Sequence, residues 1–69
     1  MTKISARNVF AGKVEKVEKG ATTAHVVVQV QGARLTAAIT NESVDDLELK
    51  AGREVKAIVK ASDVILAVD

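Results

Sequence analysis

Residues 22–40, TTAHVVVQVQGARLTAAIT, decide the fold. In the first ten, Thr22, Ala24, Val26, Val28 and Val30 fall on one face, and Thr23, His25, Val27, Gln29 and Gln31 on the other. A period of two with one apolar face is the pattern of a half-buried strand. Gly32-Ala33 reads as a tight turn. Leu35, Ala37 and Ile39 then alternate with Arg34, Thr36, Ala38 and Thr40, which predicts a second strand and a β-hairpin.

Working outward, Thr40 is placed to cap a short helix over residues 41–47, with Glu42, Asp45 and Asp46 as its acids. Leu47 and Leu49 are expected to drop apolar groups under the sheet, and Gly52 ends the unit. Beyond it Val55, Ala57 and Val59 alternate with Glu54, Lys56, Ile58 and Lys60, giving another strand; the apolar run 64–68 supplies a last one. On the N-terminal side, Gly12 and Gly20 bracket too few residues for a stable helix, so residues 9–19 read as a strand. Val14 and Val17 stand three apart, which breaks alternation and predicts a β-bulge or sharp bend. The order is three strands, a short helix and two strands. It predicts an all-β fold: a five-stranded OB-like Greek-key barrel with one short helix between strands 3 and 4, formed by residues 1–69 as a single domain.

Composition bounds the function. A chain of 69 residues holds one small domain. At this size only about 60% of the unfolded chain's surface is buried, so such a domain is marginal alone. The usual supports are disulfides, a metal or association. There is no Cys and a single His, His25, which leaves association with copies of itself. Lys and Arg number 10 against 9 Asp and Glu, a net charge of +1, without the basic excess on which nucleic-acid affinity rests. Single-strand binders of this fold also stack bases on aromatic side chains, and Phe10 is the only one, expected in the core. No apolar run approaches the roughly 20 residues needed to cross a bilayer. Residues 1–5 lack an apolar signal core, and the expected location is cytoplasmic.

Catalysis finds little support. A nucleophile needs a base oriented by a third group, and His25, in mid-strand on the polar face, reads as a surface or interface residue. Glu42, Asp45 and Asp46 lack the ligand spacing of a calcium loop and read as a solvated helix start. What remains is a set of donors: Ser5-Ala6-Arg7-Asn8, then Thr40-Asn41-Glu42-Ser43-Val44, then Lys60-Ala61-Ser62. Hydroxyls, a guanidinium, an ammonium and free backbone N–H groups are what an oxyanion requires, because each of its oxygens accepts. From the residues alone, interface ion pairs through Arg7 and Lys60 with a capping Thr40 explain the same groups equally well.

The chain resembles the molbindin (Mop) family of small molybdate-binding proteins. The resemblance rests on Ser5-Ala6-Arg7-Asn8 followed by Gly12-Lys13-Val14, on Thr40-x-x-Ser43-Val44, and on Val59-Lys60-Ala61-Ser62-Asp63-Val64. It covers essentially the whole chain; where the family often has Gln after the first signature, this chain has Val9. The resemblance implies an OB-like barrel assembled into hexamers, trimers of dimers, with molybdate or tungstate held at subunit interfaces. It implies no enzyme activity and no cofactor, but a role in molybdenum storage or homeostasis. The oxyanion-binding positions it implies are Ser5, Arg7, Thr40, Ser43 and Lys60, with backbone donors near Ala6, Val44 and Ala61, and Ser62 beside them. Ser5, Arg7 and Lys60 would meet Thr40 and Ser43 across an interface. A donor-only cage suits a dianion without a proton. Phosphate, with a second pKa of about 6, often keeps a proton that needs an acceptor. Sulfate differs from molybdate in size, so rigid walls must reject it. Two other functions stay open: a structural assembly module indifferent to oxyanions, and an OB-type nucleic-acid binder.

Overall fold

Strand β1 (Asn8–Lys19) is the spine of the fold, because it pairs with two different neighbours along its length. In the computed structural model, which describes residues 5–69, residues 12–19 of β1 run antiparallel to β2 (Thr23–Val30), and residues 8–13 run antiparallel to β4 (Glu54–Val59). Residues 1–4, most of the stretch read for a signal core, lie outside the described residues. Strand β3 (Ala33–Thr40) continues the sheet beyond β2, giving the order β3-β2-β1-β4. Helix α1 (Asn41–Asp46) follows β3, and a 3-10 turn (Ala61–Asp63) follows β4.

The change of partner within β1 has two local causes. The ladder to β2 slips between Val14 and Lys16, leaving Glu15 as the extra residue of a bulge. The slip lets both Val14 and Val17 face inward, as their spacing predicts. At the crossover, Gly12 stands opposite both Val30 and Val55. A Cβ there would lie 2.4 Å from the Gln29 carbonyl oxygen and 2.9 Å from Val30 Cγ1, so only glycine permits this approach. The hairpin of β2 and β3 forms as predicted, with its turn one residue earlier, at Gln31-Gly32; Gly32 takes φ +78°. Thr40 caps α1, its Oγ1 accepting from the Ser43 N–H at 3.0 Å.

The core consists of Val14 on β1, Ala24, Val26, Val28 and Val30 on β2, and Val44 on α1. No residue of β3 or β4 is fully buried: Leu35, Ile39 and Val55 are half-covered, although alternation turns them inward. The reason lies in the fifth strand. Residues 64–68 leave the 3-10 turn with Val64 extended (φ −85°, ψ 125°) but pair with no strand, and Ile65, Leu66 and Val68 are 92%, 88% and 98% exposed. The expected five-stranded closed barrel is therefore corrected to a four-stranded antiparallel sheet with one short helix, among the described residues. Apolar composition gives a segment strand propensity, but a strand exists only where an edge accepts it.

Two further expectations are corrected. Phe10 is 41% exposed rather than core. It shares the inward face with Ala57, but β2 stops opposite Gly12, so the sheet is only two strands wide there. Leu47 is 58% exposed: it lies past the last helical residue, while Leu49 reaches the core in its place.

Candidate anion-binding site

The two-stranded arm of β1 and β4 carries the first donor group. Asn8 Nδ2 donates to the Val59 carbonyl at 3.1 Å, tying the start of β1 to the end of β4. The residues just outside the ladder are thereby brought side by side: Ser5, Ala6 and Arg7 on one flank, Lys60, Ala61 and Ser62 on the other. With Ile58 and Asp63 they line one open hollow of about 620 Å³. The 3-10 turn is closed by the Asp63 N–H on the Lys60 carbonyl (2.9 Å) and the Val64 N–H on the Ala61 carbonyl (3.3 Å). The N–H groups of Ala61 and Ser62, at the turn's start, are not engaged within it.

Neither Arg7 nor Lys60 has a carboxylate partner among the described residues. The ion pairs lie elsewhere: Lys19–Asp45 at 2.7 Å, Arg34–Glu15 at 3.1 Å and Lys16–Glu18 at 2.9 Å. In the last pair, the hydrogen bond from Lys16 and its charge hold the exposed Glu18 carboxyl below its ordinary value, and Glu18 raises the Lys16 ammonium in return. Two cations without an ion-pair partner among the described residues, set against the one acid Asp63 in the same hollow, leave a place of net positive charge.

The second donor group is not in this hollow. Thr40 stands opposite Thr23, the Asn41 N–H donates to the Thr22 carbonyl at 2.9 Å, and Asn41 Nδ2 donates to the Gly20 carbonyl at 2.9 Å. The Lys19–Asp45 pair holds α1 to the same end of the sheet. Thr40 and Ser43 thus sit by the last residue of β1, and Lys60 by its first. Twelve residues of strand separate the two, up to about 36 Å if straight and less with the bulge. Within α1, Thr40 Oγ1 accepts from the Ser43 N–H and donates to Ser43 Oγ at 2.9 Å, so the outward-free proton of this group is the Ser43 hydroxyl's. Val44 presents its side chain to the core, leaving only its backbone to serve a ligand.

The structure therefore gathers Ser5, Ala6, Arg7, Lys60, Ala61 and Ser62, and holds Thr40, Ser43 and Val44 apart from them. It also adds a residue that sequence reasoning passed over. Asp63, an acidic residue, is among those that line the hollow with the donors. The signal was present, since Asp63 directly follows Lys60-Ala61-Ser62, but that element was weighed for its donors alone. His25 is exposed on the outer face opposite Glu18, as its alternation predicts. Among the described residues no three His, Cys, Asp or Glu side chains come together as a metal site, and no helix is long and apolar enough to cross a membrane.

Comparison with known proteins bears on this arrangement. Residues 4–66 match the TOBE domain family. Molybdenum-pterin-binding protein 3 of Clostridium pasteurianum is 44% identical over 64 residues, spanning 91% of this chain and 94% of that protein. Among solved structures, a molybdate-binding protein from Sporomusa ovata superposes with a TM-score of 0.90 at 40% identity, covering 97% of this chain and all of the other. The cytoplasmic molybdate-binding protein ModG, in a molybdate-bound form, gives a TM-score of 0.93 at 42% identity over 99% of this chain and 49% of its own. With a family model matched over nearly the whole chain and a relative 44% identical along almost its full length, the chain belongs to the TOBE domain family and, within it, to the molbindin (Mop) group of molybdenum-pterin-binding proteins.

Proposed function

We propose that this chain is a non-enzymatic, cytoplasmic binding protein for molybdate or tungstate, serving as a store or buffer of the oxyanion. The observation that carries the reading is the hollow at the end of the β1–β4 arm, where Arg7 and Lys60, without an ion-pair partner among the described residues, stand beside Ser5 and Ser62. Similarity to proteins described as binding molybdate, one of them cytoplasmic, supports the choice of ion and location. Arg7 and Lys60 supply charge; the hydroxyls and turn amides supply direction.

The site is completed by a second copy. Thr40 and Ser43 cannot reach Lys60 within one chain, because β1 separates them; the α1 end of a neighbour can. On this reading residues 1–69 form one domain, and the working unit is a hexamer built as a trimer of dimers. Titration calorimetry of the purified protein with molybdate, tungstate and sulfate is the test. Saturable heats with molybdate and tungstate, and none with sulfate at the same concentrations, are expected; silence with all three would overturn the reading and favour a purely structural assembly module.

A further inference from the structure

One residue of the hollow at the end of the β1–β4 arm does not fit a cage of donors. Among the described residues that line it, Arg7 and Lys60 are cationic and Asp63 is the one acid. The Asp63 N–H donates to the Lys60 carbonyl at 2.9 Å, which closes the 3-10 turn and keeps the acid beside Lys60. Asp63 is exposed, and its side chain enters no ion pair or hydrogen bond among the described residues. The fold makes no use of its carboxylate.

We propose that Asp63 sets which protonation state of a tetrahedral oxyanion the hollow accepts: it weakens the hold on a bare dianion and admits an oxyanion that carries a proton. An ionised carboxylate accepts hydrogen bonds and donates none. It repels a dianion that has only acceptor oxygens. To an oxyanion bearing an O–H it offers the acceptor that the guanidinium, the ammonium and the turn amides lack. The hydroxyls of Ser5 and Ser62, in the same hollow, can accept as well. They are neutral acceptors, however, and an O–H bond to a carboxylate is roughly twice as strong. Phosphate and sulfate are the informative pair, since they are alike in shape and size and only phosphate keeps a proton at neutral pH. The expectation of a donor-only cage, hostile to that proton, is thus reversed at this one residue. The proposal deepens the oxyanion reading and rests on it.

The test is competition at neutral pH. Protein loaded with molybdate is titrated with excess inorganic phosphate or excess sulfate, and the displaced molybdate is measured. The parent is expected to yield molybdate to phosphate at lower concentration than to sulfate. In Asp63→Ala, which loses the acceptor, that preference should fall by roughly tenfold or more, while direct titration shows molybdate bound more tightly. Asp63→Glu, which keeps a carboxylate, should restore part of the preference. Glu54→Gln removes the same charge at the opposite end of β4 and should leave the preference unchanged. Parent protein that yields molybdate equally to both ions, or to neither, would overturn the proposal, as would a preference that survives in Asp63→Ala. An equal loss in Glu54→Gln would assign the effect to net charge and overturn it too. In each of these cases molybdate still binds and the oxyanion reading stands; a parent that binds no molybdate overturns both.

Discussion

Truncating either cation of the arm should separate binding from folding. Arg7 and Lys60 are exposed and have no ion-pair partner among the described residues, so Arg7→Ala or Lys60→Ala orphans no buried group. Substitutions of that kind usually move stability by no more than about 0.5 kcal/mol, or roughly 2–4 °C of midpoint for a domain this small. The bound ion loses much more. A hydrogen bond to a charged group contributes about 1.5–3 kcal/mol, and each 1.4 kcal/mol is tenfold, so each variant should weaken molybdate by roughly 10- to 150-fold. The double variant should lose less than the product, because both groups act on one ion. Arg7→Lys should fall between, keeping the charge but losing the planar fork. Calorimetric titration gives the affinities, and thermal melts without anion give the control. Parental affinity in both Ala variants would refute the assignment of the hollow, whatever else the protein binds.

Asp63→Asn should act in the opposite direction. A dianion held in this hollow is repelled by a nearby carboxylate, so its removal should tighten molybdate in the same titration. Thr40→Ala should cost about 1 kcal/mol of stability through the lost cap and also weaken molybdate, because Ser43 loses the partner that orients its hydroxyl; melts and titrations read the two separately. Gly12→Ala forces a Cβ to 2.4 Å from the Gln29 carbonyl; overpacking of this kind costs about 1–3 kcal/mol, lowering the melting midpoint by roughly 4–24 °C. Molybdate at 100 times its Kd should raise stability by about 2.7 kcal/mol, and an unchanged melting curve there would count against the site.

Legibility in the sequence followed the range of the interaction. The β2–β3 hairpin, the bulge in β1 and the cap of α1 were readable because alternation, the spacing of Val14 and Val17, and Thr40 before Ser43 act over a few residues. Residues 64–68 were misread because pairing depends on where an edge lies, and that is set by a turn and a groove elsewhere in the chain. Phe10 failed for a related reason: its face was readable, but the number of strands covering that face was not. For the site, resemblance gave the residues and the structure gave their grouping. Nothing in the spacing of Arg7 and Lys60 shows that the Asn8–Val59 pairing sets them side by side, nor that Thr40 belongs to the other end of β1.

That separation bears on how the protein would tell one oxyanion from another. A tetrahedral ion displaces roughly two or three waters' volume, about 60–90 Å³, while the hollow beside Arg7 and Lys60 is about 620 Å³ and open. One protomer can attract a dianion there but cannot measure it, since most of the ion's surface would face solvent. Sulfate and molybdate carry equal charge, so a half-site of this kind gives them nearly equal electrostatic attraction. Discrimination by size needs a second wall whose distance is fixed, which on the proposed reading a neighbouring copy supplies. On that reading selectivity belongs to the proposed assembly, and substitutions that loosen the packing of neighbouring protomers should erode the preference for the larger ion before they abolish binding.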